Sequence, residues 1–357
     1  MAAPITYLIP THERHGYLRR ALAYYEGVDA DILVADSSAQ ALPEAEQLPA
    51  RVQYRHFPGQ GYMQKLSQVA QLVTTPFVVL CADDDFTVPR AVAACQAFLE
   101  SNAGYASAQG DYLNAQLEPA GIHLRPAYPQ ALQVRVDAAL ASERLLEVSS
   151  PYVPVYYAVH RTESLRDYAR LAQGLENYNL LEMLFGLVAA IHGKHARLPM
   201  LYGVREVVPS VAAKDPRRRH GLDKVSTLPE YAAEYGRFVT GAAGLLAQRQ
   251  GLAQAEAEQA VRDAVALFAS RYCGHQQRRS FWRKLPKYLR RLRNRVTGRD
   301  PEVLALRAAD EHAVRELLSG HESGEQGKGA VADLSDILLR MTPGAKARPM
   351  AKSGGDA

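Results

Sequence analysis

The sequence predicts an α/β protein with a mostly parallel sheet, because short apolar runs alternate with segments of helical periodicity. Ile5–Ile9, Asp31–Ala35 and Phe77–Cys81 are such runs, and each is followed by polar residues. Strands that are apolar on both faces are typical of a sheet covered by helices on both sides. Polar residues at the ends of several strands indicate a ligand site at the carboxyl edge of that sheet.

The elements between these runs support the same fold class. Apolar positions at helical spacing predict helices over Tyr17–Tyr25, Tyr62–Val73 and Ala91–Leu99. Val52–His56 and Tyr105–Asp111 are predicted strands. The first third of the chain is therefore expected to run β-α-β-β-α-β-α-β.

The rest of the chain is expected to be more helical. Helices are predicted at Asp137–Leu146 and Leu175–His192, strands at Val155–His160 and Leu201–Val208, and a helical pattern from residue 228 to residue 292. These patterns predict an α/β domain over residues 1–225 and a helical C-terminal region over 226–317. Residues 318–357 are rich in Gly, Ser, Ala and Lys and are expected to be mostly disordered, apart from a turn or two at Leu334–Met341.

Composition places the chain among ordinary soluble proteins. It has 357 residues, 47% hydrophobic and 22% charged, with a net charge of +4. Three cysteines at unrelated spacings predict a reducing, cytoplasmic environment without disulfides. There is no basic start followed by an apolar run and no stretch of about 18 apolar residues, so neither a signal peptide nor a membrane span is expected.

Three consecutive carboxylates, Asp83, Asp84 and Asp85, follow the apolar run Phe77–Cys81. Like charges at the end of a buried strand repel one another and lose hydration, so they favour a cation. A hard divalent ion with oxygen ligands, Mn²⁺ or Mg²⁺, fits this chemistry. The alternative is a solvated acidic loop that caps the helix beginning near Pro89.

At this point the motifs resemble glycosyltransferases of the GT-A fold, a Rossmann-like α/β fold, and in particular the inverting family 2 enzymes. They are more similar still to a little-described bacterial group of glycosyltransferase-domain proteins. The first strand runs into Ile9-Pro-Thr-His-Glu-Arg14, the second ends in Ala35-Asp36-Ser-Ser38, and Asp85 lies four residues before Pro89. The resemblance covers roughly residues 4 to 210.

The resemblance implies a DxD metal motif in the acidic triplet. Asp83 and Asp85 would bind the metal, and Asp83 and Asp84 would lie in the nucleotide-sugar site. The family usually has Asp-x-Asp-Asp before this proline spacing, whereas this chain has Ala82 at the first position.

The resemblance also implies a nucleotide-sugar site on the neighbouring strand ends, with Thr11, Arg14, Asp36, Lys65 and Arg205 as candidates. A structural alternative remains for each of them. Thr11 and Arg14 could instead form a tight turn with a surface arginine, and Asp36 could cap a turn or a helix. Lys65 could be an exposed helical lysine, and Arg205 could form a surface pair with Glu206.

The family's catalytic base is an acidic residue on a helix, and its spacing to Gly193 implies Glu182, with Glu176 as the other candidate. Glu182 interrupts the apolar stretch Leu180–Phe185, where burial would raise its pKa towards the range useful to a base. The alternative is a glutamate on the solvated face of an amphipathic helix.

Residues 278–299 form a basic segment with apolar residues at helical spacing and the single Trp, Trp282. This pattern is typical of a helix that lies on an anionic membrane surface, which suggests peripheral attachment at the inner face of the membrane. The alternatives are an ordinary helix packed on the domain and nucleic-acid binding, but the sequence contains no recognised nucleic-acid motif, so nucleic acid is not an expected partner.

The sequence therefore predicts a Mn²⁺- or Mg²⁺-dependent glycosyltransferase. It would move a sugar from a nucleotide-sugar donor to a glycan or lipid-linked acceptor, with inversion, in surface polysaccharide synthesis. Two alternatives stay open. One is a non-catalytic GT-A-like protein that binds a membrane or a partner. The other is a metal-dependent nucleotidyltransferase, although the sequence has no glycine-rich phosphate loop after the first strand, which such enzymes carry.

Overall fold

The computed structural model describes residues 4–118, 121–129, 132, 134–207, 220–273, 301–322 and 329–341. Within these residues, nine strands form one sheet. The strands are β1 Ile5–Thr11, β2 Asp31–Asp36, β3 Val52–His56, β4 Phe77–Leu80, β5 Phe86–Thr87, β6 Tyr105–Glu118, β7 Gly121–Pro126, β8 Val159–Arg161 and β9 Lys194–Glu206.

The strand order is β3-β2-β1-β4-β8-β6-β9-β5, with β7 paired to β6. β1, β2, β3, β4, β6 and β9 run in one direction, whereas β5, β7 and β8 run in the opposite direction. The predicted fold class, α/β with a mostly parallel sheet, is therefore confirmed.

Helices cover both faces of this sheet. They are α1 His15–Tyr24, α2 Tyr62–Ala70, α3 Pro89–Ser101, α4 Ala141–Ser149, α5 Thr162–Leu171, α6 Tyr178–His192, α7 Leu222–Val225, α8 Ala232–Gln250, α9 Gln254–Phe268, α10 Pro301–Glu322 and α11 Ala330–Met341. Sequence signals explain several helix starts. Pro89 occupies the first turn of α3, and the side chain of Asn177 accepts hydrogen bonds from the backbone N–H groups of Asn179 and Leu180 at the start of α6.

The apolar strands divide the core into two layers. Leu8 and Ile9 are adjacent in β1 and both fully buried, but Leu8 packs with α2, α5 and α6 and Ile9 packs with α1 and α3. Alternate residues of a strand point to opposite faces, so an uninterrupted apolar strand serves both layers.

The two C-terminal helices pack against the layer of α1 and α3. Leu334, Ile337 and Met341 of α11 are buried there, and Asp333 forms an ion pair with Arg90. On α10, the buried His321 lies 2.7 Å from Asp111 of β6. The prediction of disorder from residue 318 differs from the structure at 318–322, which end α10, and at 329–333, which lead into α11. Leu334–Met341, where a turn or two is expected, is helical, and the expected boundary after residue 317 falls inside α10.

Three elements in the middle of the chain have bounds that differ from the predicted ones. The strand expected at Val155–His160 is β8, Val159–Arg161, and the strand expected to begin at Leu201 already begins at Lys194. The helix expected from Leu175 begins at Tyr178, and α5 was not predicted.

The basic segment 278–299 lies outside the described residues, so its predicted membrane-surface helix stays a prediction. Within the described ranges, none of the helices combines the length and the apolar character that a membrane crossing requires.

Candidate functional site

The ends of three neighbouring strands form the candidate site. Thr11, the last residue of β1, pairs with Asp36, the last residue of β2. β4 lies on the other side of β1 and leads directly into the aspartate triplet. The hydroxyl of Thr11 donates a 2.7 Å hydrogen bond to Asp83 Oδ2, so the strand ends meet as the sequence predicts.

Arginines form ion pairs with all three aspartates. Arg14 lies 3.1 Å from Asp83 Oδ1 and 2.6 Å from Asp84 Oδ2. Asp85 Oδ1 accepts a 3.0 Å hydrogen bond from the backbone N–H of Glu206, and its Oδ2 is 3.4 Å from Arg205 Nε. Asp85 Oδ2 is thus the least tightly bonded of these buried oxygens.

Burial makes two of these carboxyls unusually basic. It raises the pKa of Asp83 to about 6, although Thr11 and Arg14 act to lower it. It raises the pKa of Asp85 to about 7, against the opposing effect of Arg205. The surrounding cations therefore do not fully compensate the lost hydration, and the site favours additional positive charge.

The short strand β5 fixes the position of Asp85. β5 pairs with β9 immediately after the aspartates, opposite Gly203 and Val204. A Cβ at Gly203 would lie 2.4 Å from the ring of Tyr112 and 2.8 Å from the carbonyl oxygen of Phe86, so only glycine permits this close pairing. The close pairing brings the backbone of Glu206 to Asp85.

Arg205 points into the site as the sequence predicts. Its guanidinium contacts Asp85 and the hydroxyl of Tyr128, and lies 5.5 Å from the ring centre of Tyr157. Although burial acts to lower it, Tyr128 and Asp85 raise the pKa of Arg205 above its usual value. The alternative of a surface pair with Glu206 is wrong, because Glu206 binds Arg20 at 2.7 Å.

Asp36 is fully buried and heavily bonded. Its Oδ1 accepts from the backbone N–H of Ser38 at 2.8 Å, and its Oδ2 accepts from Tyr54 Oη at 2.5 Å and contacts His15 Nε2 at 2.8 Å. Burial acts to raise the pKa of Asp36, but the hydrogen bonds from Ser38, Tyr54 and His15 outweigh it and lower the pKa. Asp36 therefore organises the turn after β2 and has little free capacity to accept from a ligand.

Lys65 lies inside the protein rather than on an exposed helix face. Only 2% of it is exposed, and its Nζ donates to the carbonyl oxygen of Thr11 and, at 3.0 Å, to the hydroxyl of Ser37. Burial lowers the pKa of Lys65 to about 8, against the effects of Asp36 and Asp83. Lys65 thus joins the ends of β1 and β2 from behind and adds positive charge beneath the carboxylates.

Glu182 is exposed on α6, so the expectation that it is buried among its apolar neighbours is wrong, and it lies on the solvated face of the helix. It accepts a 3.0 Å hydrogen bond from Tyr152 Oη. Tyr152 packs edge-on against Phe268, which holds this hydroxyl in place. The other candidate, Glu176, is also exposed, and its backbone N–H donates to the side chain of Glu234.

Sequence reasoning missed several residues of the site. Arg20 donates to the carbonyl oxygen of Asp84 at 3.0 Å, His56 contacts the carbonyl oxygen of Ser38 at 2.8 Å, and Tyr54 binds Asp36. The alternation of β3, with Tyr54 and His56 at its carboxyl end, was the available signal. No local pattern marks Arg20, because the residues with which it forms hydrogen bonds and ion pairs, Asp84 and Glu206, are over sixty residues away.

No protein-family model and no curated protein matches the chain. Among solved structures, the 1–349 form of TarS from S. aureus in complex with UDP-GlcNAc superposes with a TM-score of 0.52 at 14% identity, covering 76% of this chain and 73% of that one. Glucosyl-3-phosphoglycerate synthase from Mycobacterium tuberculosis, in complex with Mn²⁺, UDP-glucose and phosphoglyceric acid, has a TM-score of 0.36 at 14% identity, covering 70% and 81%. That second score is too low to establish a shared fold. The likeness to TarS, together with the sheet described above, confirms the GT-A-type fold.

Proposed function

We propose that this protein is a metal-dependent glycosyltransferase that uses a nucleoside diphosphate sugar as donor. The observation that carries the proposal is the pair of buried aspartates, Asp83 and Asp85, at the carboxyl ends of the strands, with the pKa of each raised by burial. The TarS structure that shares the fold contains UDP-GlcNAc, which supports a nucleotide-sugar donor here.

The residues present fit a divalent cation. Asp83 and Asp85 offer carboxylate oxygens, the ligands that Mn²⁺ and Mg²⁺ prefer, in a site whose own cations leave the carboxyls basic. These two side chains would hold the metal, and Asp85 Oδ2, whose contact with Arg205 is 3.4 Å long, is the oxygen most available to it. A bound metal would neutralise negative charge on the diphosphate leaving group.

The arginines are placed to bind the diphosphate. Arg205 is held by Tyr128 and Tyr157 as well as by Asp85, so the N–H donors of its guanidinium are oriented before a ligand binds. Arg14 lies over Asp83 and Asp84 and is about one-third exposed. Both can exchange a carboxylate contact for a phosphate oxygen as the donor binds.

Glu182 is the proposed base. It would take the proton of the acceptor hydroxyl as that oxygen attacks the anomeric carbon, in an inverting displacement. Its exposure leaves room for an acceptor, and the hydrogen bond from Tyr152 fixes the direction of its carboxylate.

A thermal-shift panel tests the donor site. Wild type is heated with UDP, GDP, CDP, CMP or ADP, each with and without Mn²⁺, beside Asp85→Asn and the control Asp263→Asn on the exposed face of α9. A ligand at a hundred times its dissociation constant stabilises a fold by about 2.7 kcal/mol. We expect one nucleotide to stabilise wild type and Asp263→Asn only with Mn²⁺, and Asp85→Asn not at all. A folded wild-type protein that responds to none of them contradicts the proposal.

The surface polysaccharide role and the membrane contact rest on the basic segment 278–299. We propose a glycan or lipid-linked acceptor at the inner face of the membrane. Sedimentation with phosphatidylglycerol vesicles should retain the protein at low salt and release it at high salt, whereas phosphatidylcholine vesicles should not retain it. Equal behaviour with both vesicles contradicts the membrane contact.

A non-catalytic binding protein is the second candidate. The observation in its favour is that Arg14 already forms ion pairs with Asp83 and Asp84 in this structure. Release of a nucleoside diphosphate from a nucleotide sugar distinguishes catalysis from binding alone. Release of pyrophosphate from a nucleoside triphosphate would instead indicate nucleotidyl transfer.

A further inference from the structure

A small cavity with polar side chains in part of its wall lies beside the aspartate site, between β6, β9 and the segments that follow β7 and α4. It has a volume of about 30 Å³. Gln109 and Asp111 of β6, His195 and Arg197 of β9, and Tyr128 and Val153 from the following segments contribute to its walls. A cavity needs about 10–15 Å³ for one water-sized group, so this one has room for about two such groups.

Two polar side chains in this wall each have one atom without a hydrogen-bond partner among the described residues. Gln109 and His195 are 7% and 9% exposed. Gln109 Oε1 and His195 Nε2 are both buried, and neither has a hydrogen-bond partner among the described residues. Buried polar atoms are nearly always bonded, so two unpartnered atoms in one cavity wall indicate a ligand with hydrogen-bonding groups.

The charges around the cavity favour a neutral ligand. Asp111 is paired with Arg197 at 2.5 Å and with His321 at 2.7 Å, so it presents no free charge. Burial and the nearby His160 lower the pKa of His195 to about 3, so the imidazole is neutral near pH 7.

A hydroxyl group matches both unpartnered atoms. His195 Nδ1 is 2.9 Å from the hydroxyl of Ser107. When Ser107 donates to Nδ1, Nε2 carries the proton and donates, whereas Gln109 Oε1 only accepts. A hydroxyl accepts from the first and donates to the second, which neither an anion nor an ammonium group can do.

Tyr128 connects the cavity to the aspartate site. Its side chain lines the cavity and its hydroxyl contacts Arg205, which in turn contacts Asp85. A ligand in the cavity therefore lies one aromatic ring away from the proposed diphosphate position.

We propose that this cavity binds a hydroxyl group of the sugar acceptor and selects acceptors that are neutral and polyhydroxylated. The proposal rests on the proposed function, because it assumes that a donor binds at Asp83 and Asp85. Gln109 and His195 hold the acceptor at a hydroxyl that does not react, while the attacking hydroxyl remains with Glu182.

Ligand-detected NMR tests this with methyl β-D-glucopyranoside as the probe and tetrahydropyran, which has no hydroxyl groups, as the matched control ligand. Saturation transfer is measured with UDP and Mg²⁺ present, for wild type, Gln109→Met and the control Gln254→Met on exposed α9. UDP affinity is measured on the same samples by calorimetry. Loss of one hydrogen bond should weaken the glucoside about fivefold in Gln109→Met. UDP affinity should stay within about twofold, and Gln254→Met should match wild type.

The outcomes separate this inference from the proposed function. Absence of UDP binding in wild type overturns the donor site itself. UDP binding with no glucoside signal, or with a glucoside signal equal in wild type and Gln109→Met, overturns the acceptor cavity. If UDP binds, the glucoside result overturns the acceptor cavity, and an ordered water is found between Gln109 and His195, then the cavity holds structural water only. If Gln109→Met does not fold, Gln109→Asn withdraws the amide by one methylene and should weaken the glucoside in the same direction.

Discussion

Replacing Asp85 by asparagine should make the metal-free protein more stable at alkaline pH. The asparagine side chain would occupy almost the same volume, and its single oxygen could still accept from the backbone of Glu206, while its NH2 group would take the place of the oxygen that faces Arg205. What the substitution removes is a buried negative charge. The raised pKa of Asp85, about 7, shows that its surroundings disfavour that charge even with Arg205 beside it.

The size of the effect follows from the pKa. An unfolded aspartate has a pKa of about 3.9, so a folded value of about 7 corresponds to at most ~4 kcal/mol of native-state destabilisation. Loss of the ion pair with Arg205, which is partly exposed, offsets part of this gain. We expect a net stabilisation of roughly 2 kcal/mol at pH 8.

The stability difference between Asp85→Asn and wild type should depend on pH. The folded state of wild type holds the Asp85 proton more tightly than the unfolded state, so the destabilisation is absent below about pH 4 and complete above about pH 7. The advantage of Asp85→Asn should therefore be near zero at pH 4 and grow up to about pH 8.

Urea unfolding followed by circular dichroism, in EDTA, measures this difference at several pH values. The control Asp263→Asn should follow wild type throughout, because that residue is exposed. A variant that is less stable than wild type at pH 8, or a difference that does not change with pH, would refute the argument that burial outweighs Arg205.

Three further predictions follow from the same contacts. Metal must displace protons from Asp83 and Asp85, so calorimetric Mn²⁺ affinity should rise about tenfold or more from pH 6 to pH 8, and a flat profile would contradict this. Tyr54→Phe removes a donor to Asp36, whose pKa is lowered in the fold, and should cost about 1–2 kcal/mol in urea unfolding at pH 7. That loss should shrink as the pH falls below about 4, and a constant loss would point to packing instead. A stop after residue 328 removes α11 with its buried residues Leu334 and Ile337 and should cost about 3 kcal/mol, whereas unchanged stability would show that α11 does not pack on the sheet.

The strands around the site could be predicted because local pattern determines them. β3 has the predicted bounds, and β1, β2 and β4 differ from theirs by one or two residues. An apolar run that ends in polar residues indicates both that the strand is buried on two faces and where the strand ends. The same logic located the aspartate triplet.

Elements whose partners are distant could not be predicted in this way. β9 begins with Lys194 and contains Arg197 and Pro199, which are unusual in a buried strand. Arg197 is acceptable because its guanidinium binds Asp111, more than eighty residues earlier. The helix α5 buries Thr162 and Ser164, so its apolar stripe is too short to recognise.

The site residues show the same limit. Lys65 looked exposed because its partners, a carbonyl oxygen and a hydroxyl, belong to the ends of two other strands. Glu182 looked buried because its neighbours are apolar, but α6 is buried almost all round and Glu182 takes an outward position. Apolar neighbours on a helix do not reveal which way a single polar residue points.

The most direct test of the central claim is nucleotide release from a panel of nucleotide sugars in Mn²⁺, with methyl β-D-glucopyranoside present so that its hydroxyl groups or water receive the sugar, measured for wild type, Asp85→Asn and Asp263→Asn. Wild type and Asp263→Asn should release a nucleoside diphosphate from one donor, EDTA should stop the release, and Asp85→Asn should show none. Release that persists in EDTA or in Asp85→Asn, or no release by a folded wild-type protein from any donor, would contradict a metal-dependent glycosyltransferase built on Asp83 and Asp85.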